Sequence, residues 1–292
     1  MSLRLKFNLS LLAVMLLGLG VCGYMLNGLL EKNARDEVFH EAGLLMESAL
    51  AIRAYTVDHI RPRLEKQLDE EFLPQTVPAF AATETLTTLR KKYPEYAYKE
   101  ATLNPTNPRN QADPWEAKIV EAFRASPTTP ESSGVRMTNS GPSLYVARPI
   151  QIKNAACLTC HSDPQAAPAS LIRTYGSQGG FGWKHNEVIG AQVVSVPMNV
   201  PMQRAKTTFY ASLGALVAIF LAMFVILNVM LDRFVIKPIV RMSAAADAIS
   251  GGNFDLGNLD ESGRDEVARL AQSFNRMTAS LARAMQMLRT RK

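Results

Sequence analysis

The stretch Ser143–His161, SLYVARPIQIKNAACLTCH, decides how this chain is read. Its first ten residues carry β-branched and aromatic side chains between turn signals and read as a strand. Its last five, Cys157-Leu158-Thr159-Cys160-His161, form C-x-x-C-H, the attachment pattern of a c-type haem. Two thiols three residues apart can both reach the vinyl groups of one porphyrin, and the adjacent imidazole is placed to ligate its iron. A zinc site needs two further Cys or His ligands at suitable spacing, and the chain has no matching pair. A redox dithiol has no need of His161. The expectation is one covalent haem c on Cys157 and Cys160, with His161 as the proximal iron ligand.

Working outward, Val188–Val196 is the second strong strand and Tyr96–Leu103 a third, the latter followed by the loop Asn104-Pro105-Thr106-Asn107-Pro108-Arg109-Asn110. The Gly-rich stretch Tyr175–Trp183 reads either as backbone that approaches a flat ligand closely or as an ordinary surface turn. Thr83–Lys92 and Pro114–Arg124 are helix candidates, the second with Asp113 as N-cap before a first-turn proline. Residues 31–68 are rich in Ala, Leu, Met and Glu and free of proline before Pro62, so they read as one long helix. Leu44, Leu45, Ala49, Ile52 and Tyr55 fall near helical spacing on one side of it. A long helix, then short helices and strands, gives an α+β domain with an antiparallel sheet.

Two apolar segments bound this domain. Residues 7–30 and 207–231 carry no charge, and each is long enough to cross a hydrocarbon core as a helix. Arg4 and Lys6 precede the first; Arg233, Lys237 and Arg241 follow the second. The positive-inside rule puts both termini in the cytoplasm and residues 31–206 outside it, and the expected setting is a bacterial inner membrane with that domain in the periplasm. The first segment is too long for a signal-peptide core and lacks a clear cleavage site, so it reads as an uncleaved anchor. Cys22 within it is a packing residue, which leaves the two motif cysteines as the only exported ones. The net charge of +6 comes largely from membrane-flanking and C-terminal basic residues. No basic cluster interleaved with aromatics stands out, and a nucleic-acid partner is rejected.

The run from Ala51-Ile52-Arg53-Ala54-Tyr55-Thr56 through Asn104–Asn110 and Ala147-Arg148-Pro149-Ile150 to the C-x-x-C-H motif resembles the periplasmic c-haem PAS-like sensor family. Gly180-Phe181-Gly182-Trp183 and Val188-Ile189-Gly190 extend the similarity over most of residues 40–200. The resemblance implies a PAS-like fold with one covalent haem. Some members of that family present a cysteine ligand near the position of Tyr55, where this chain has none. His59, four residues on and on the same helix face, is the expected distal iron ligand, with Tyr55, a methionine such as Met46, or an open or water-bound position as alternatives. His40 and His185 are expected to be exposed. Arg109 and Arg148 are candidates for the haem propionates, and Trp183 for the porphyrin edge.

Beyond the second span, Ile239, Met242, Ala246 and Ile249 alternate steps of three and four, and Val267, Leu270, Phe274, Met277, Leu281, Ala284 and Leu288 resume the spacing. Two short heptad helices joined by a connector bury their seams in a dimeric parallel four-helix bundle. Lys237-Pro238-Ile239, and Asp265-Glu266 with Leu270, Phe274, Asn275 and Met277, resemble a HAMP linker over residues 236–290, with Ala268 where a glycine is common. The resemblance implies relay of a membrane-helix displacement. The expected protein is a homodimeric membrane-bound haem sensor that detects redox state or a small gas such as NO, CO or O₂ and signals to a separate cytoplasmic output protein. A membrane-anchored electron-transfer cytochrome is the alternative. With no nucleophile motif or paired acid–base site, an enzyme is not expected.

Overall fold

The structure, a computed structural model, describes residues 2–253, 259 and 263–289. It divides into two compact units, Asn27–Thr208 and the combination of Met1–Leu26 with Phe209–Lys292. Helix α1, Leu3–Tyr55, runs without interruption through the first apolar segment and on into the larger unit. There it buries Ala34, Val38, Ala42, Met46 and Ala49 at steps of four and three. This stripe differs from the one expected. Ala49 is in it, and Leu45 and Ile52 flank the core, but Leu44 and Tyr55 are 56% and 59% exposed. Three of the five are alanines, and at Ala42 and Ala49 the small side chains let α1 lie close on the sheet, which sets its face.

A π-helical turn, Thr56–Ile60, joins α1 to the short α2, Arg61–Leu64. Pro62 explains the turn: it has no N–H to donate, and its ring would clash with the carbonyl four residues back in a regular helix. Helix α3, Pro78–Arg90, starts on a proline at the position where a missing N–H costs nothing. Strand β1, Ala97–Thr102, is followed by α4, Pro114–Ala125, whose Glu116 carboxylate accepts the Asp113 N–H at 2.8 Å. Strands β2, Ser132–Thr138, and β3, Gly141–Gln151, form a hairpin. Helices α5, Leu158–His161, and α6, Ala169–Tyr175, then lead to strand β4, Val188–Pro197.

The sheet is antiparallel throughout, in the order β1-β4-β3-β2. In β4 only Ser195 escapes burial, because both faces of that central strand are covered. On one face Tyr98, Val146, Val194 and Val196 pack against α1 and against Ala82 and Leu86 of α3. On the other, Ala101, Ala147, Ala191 and Val193 pack against Ile119, Val120 and Phe123 of α4. The mixed helix and antiparallel-sheet architecture read from sequence is the one observed. Strand β2 was not expected: it contains Gly134, and its apolar Val135 and Met137 point to solvent at the sheet edge.

Helix α7, Asn199–Leu231, contains the second apolar segment. It and α1 are long and apolar enough to cross a membrane. A second π-helical turn, Asp232–Ile236, precedes Pro238, as the first precedes Pro62, and leads to α8, Lys237–Ser250. Helix α9, Glu266–Arg289, begins where Asp265 accepts the Ala268 N–H at 2.8 Å. Met242 of α8 and Ala268 and Ala271 of α9 are buried, whereas Ile239, Leu270, Met277 and Leu281 are exposed along the expected seams. The expected polar connector falls mostly at 254–258 and 260–262, outside the described residues, as does 290. Of its neighbours, Leu259 is held through both its N–H and its carbonyl by the Asn275 amide.

Candidate functional site

The α1 face of the sheet is not wholly filled by helix. Beyond the core, lined by Glu100 and Thr102 of β1 and Ile150 at the end of β3, lies a cavity of about 430 Å³. That is within the usual range for small-molecule sites. Cys157, Cys160 and His161 all reach its wall, and α5 places them there in a single turn. Both cysteines are half-buried, and no disulfide joins them.

His161 is held by a backbone carbonyl, a hydroxyl and a stacked ring. Its Nδ1 lies 2.7 Å from the Gly180 carbonyl oxygen and 3.5 Å from the Thr106 hydroxyl. A carbonyl can only accept, so Nδ1 carries the proton and Nε2 is left with a free lone pair. The Trp183 ring stacks on the imidazole with centroids 4.0 Å apart and planes 14° from parallel. Backbone bonds tie the same two segments together: Gly182 N–H to the Ser162 carbonyl at 2.9 Å, and Trp183 N–H to the His161 carbonyl at 3.1 Å. Burial pushes the imidazole pKa down, with the Gly180 carbonyl opposing and Arg61 adding to the shift. Burial pushes the Cys160 thiol up, against the pull of Arg61.

The glycines act on a loop. The Asn104 side chain accepts the Gly180 N–H at 3.0 Å and donates to the Phe181 carbonyl at 3.1 Å. A Cβ on Gly179 would meet the Pro105 carbonyl, and one on Gly180, at φ +84°, would overlap Thr106. So the 104–106 loop and the Gly-rich turn close on each other, and that closure presents the Gly180 carbonyl to His161. Gly179 and Gly180 are closely packed, and what they pack against is the Pro105 carbonyl and Thr106.

The other expected site residues separate. Trp183 and Arg109 line the cavity; Arg109 pairs with Glu84 and lies over the Phe80 ring. Arg148 does not line it, because its guanidinium is spent bridging Glu47 of α1 at 2.7 Å and Glu131 at 2.9 Å. Tyr55 and His59 do share a face, their rings 5.1 Å apart, but that face is exposed and neither residue lines the cavity. Arg53, Val57 and Arg61 line it instead. Met46 is fully buried in the core.

Sequence reading missed charged lining groups, among them Arg53, Arg61, Glu100 and Lys153. Arg53 and Arg61 stand at i and i+8 around Val57, a spacing visible in the sequence once the wide turn before Pro62 is allowed for. Glu100 is 3% exposed. It receives Arg53 and, at 2.8 Å, the Tyr98 hydroxyl, which in turn accepts from Gln192 at 3.2 Å. Burial is the largest influence and lowers the Arg53 pKa, but the Glu100 charge and hydrogen bond, with Tyr98 and Cys157, together outweigh it and the net shift is upward. A buried ion pair thus joins α1 to the sheet at the cavity wall.

One imidazole with its Nε2 lone pair available, two thiols beside it and a largely apolar cavity are the donor set that a covalently attached haem requires. The site fits that group. Comparison with protein families matches residues 31–197 to the Tll0287-like family and residues 227–283 to the HAMP domain. Among solved structures, the cyanobacterial heme-protein Tll0287 is 17% identical, over 55% of this chain and 95% of that one, with a TM-score of 0.43. No curated protein matches. The chain belongs to the Tll0287-like family, with a HAMP domain following its Tll0287-like domain.

Proposed function

We propose that this chain is a membrane-bound haem c sensor and signal transducer. Cys157 and Cys160 each add S–H across a vinyl group, sulfur to one carbon and hydrogen to the other, and His161 Nε2 ligates the iron. The observation that carries this reading is the Nδ1 bond to Gly180, which selects the tautomer a metal ligand needs. When bound, the haem supplies an iron centre whose redox state or gas ligation changes with conditions outside the cell.

The chain's own residues supply the route onward. Arg53 borders the cavity and sits on α1, which is unbroken back to Leu3. A change in charge or ligation at the site acts on the Arg53–Glu100 pair, and a shift of Arg53 is a shift of α1. Such a relay works only if the two site states interact differently with the two helix positions. Residues 7–30 and 207–231 are the transmembrane helices, with the Tll0287-like domain periplasmic and both termini cytoplasmic. The apolar side chains they expose, such as Leu17 and Met25, suit lipid. HAMP domains are dimeric signalling elements, and the exposed seams of α8 and α9 suit a second copy.

The test is spin-label distance measurement at α8 in the membrane-embedded chain, with the haem oxidised, reduced and gas-bound. At least one change of state should alter the distance distribution, and the Cys157→Ala/Cys160→Ala variant should show no change. An unchanged distribution in every state contradicts the transducer reading.

A further inference from the structure

We infer that His161 is the single iron ligand the protein supplies, and that the opposite coordination position takes a neutral diatomic gas. This rests on the haem reading above and goes further, because it separates gas sensing from redox sensing.

The chain contains four histidines, three cysteines and thirteen methionines, the residues that ordinarily complete a six-coordinate haem. Of all these, the cavity wall holds Cys157, Cys160 and His161 alone. The two cysteines are consumed by thioethers. His40, His59 and His185 are exposed and none lines the cavity. Met46 and Met198 fill the core between α1 and the sheet, and moving either to the iron would open a cavity behind it. Two weaker ligands line the wall, Lys153 and Tyr175. A lysine must first lose its proton, well below its ordinary pKa, and the Tyr175 ring is engaged edge-on with Phe72 at 5.5 Å.

Charge balance argues for a neutral ligand. Four cations border the cavity: Arg53, Arg61, Arg109 and Lys153. Glu100 answers Arg53 and Glu84 answers Arg109. Among the described residues Arg61 and Lys153 form no ion pair, and two free cations match the two propionates of a haem. That leaves no cation over for an anionic ligand. Much of the remaining wall, with Val57, Leu68, Phe72, Phe80, Ile150 and Leu171, is apolar, and its Thr, Asn and Gln side chains are uncharged, which favours an uncharged ligand.

The experiment uses the full chain matured with haem in detergent, read by optical and resonance Raman spectra with carbon monoxide as the probe. The ferrous protein should be five-coordinate and high-spin and should bind carbon monoxide. His59→Ala and Tyr55→Phe should change that affinity by less than about twofold. A resident sixth ligand that held the iron nine-tenths of the time would, when removed, raise the affinity about tenfold. Such a rise in His59→Ala, Lys153→Ala or Tyr175→Phe would identify the resident ligand and overturn the inference. So would a six-coordinate low-spin ferrous spectrum that carbon monoxide leaves unchanged. A chain that carries no covalent haem after maturation fails earlier, at the haem reading itself, and its intact mass tells the two failures apart.

Discussion

Gly180 holds a backbone angle that a side chain resists, and its carbonyl is the group that fixes the His161 tautomer. Gly180→Ala should therefore do two things at once. Strain at positive φ and overlap with Thr106 should lower stability by about 2 kcal/mol or more, read by thermal melting. Displacing the carbonyl should also free Nδ1, and the reduction potential of the attached haem should shift with it. Asn104→Ala, which removes the side chain holding the Gly180 N–H, should shift the potential in the same direction with a smaller loss of stability. The motif Cys157–His161 was legible from spacing alone. What sequence could not supply was the face of the helix around Tyr55: pairing Tyr55 with His59 was right, but which side of α1 meets the cavity depends on where the alanine stripe docks.

Helix α1 and strand β1 meet through the ion pair of Arg53 and Glu100. Glu100→Gln keeps the shape but leaves the Arg53 charge without its partner. Breaking a buried pair in this way costs about 3 kcal/mol, and denaturant unfolding should show it. Two tyrosines give the same region a pH signature. Burial, with Glu41 adding to it, pushes Tyr96 up to about 12, and burial followed by Glu100 raises Tyr98 further. Above about pH 10 the unfolded chain loses these protons while the folded one keeps them, so stability should fall as pH rises through that range. Melting curves from pH 9 to 11 should become flatter in Tyr96→Phe and Tyr98→Phe. The strands with strong apolar patterns, β3 and β4, were legible. Edge strand β2 was not, because a strand paired on one side needs little apolar content, and Gly134 and Ser133 look like turn residues.

At the scale of the whole molecule, the two π-helical turns mark the ends of the apolar helices' extensions, each just before a proline. The HAMP seams were readable from heptad spacing, and their residues Ile239, Leu270, Met277 and Leu281 are exposed in a single chain. A cysteine at Ile239 should cross-link two copies in the membrane when Cys22 is replaced by Ala. Leu270→Glu or Met277→Glu should largely abolish that cross-link, since a carboxylate buried in the seam without a partner is strongly disfavoured. All of this matters to signalling only if the cavity holds the group its donors fit. The most direct measurement is the intact mass of the full chain, denatured after expression with haem maturation. The native sequence should show a mass increase of one haem, retained in His161→Ala and lost in Cys157→Ala/Cys160→Ala. A native chain at its bare polypeptide mass would contradict covalent haem attachment.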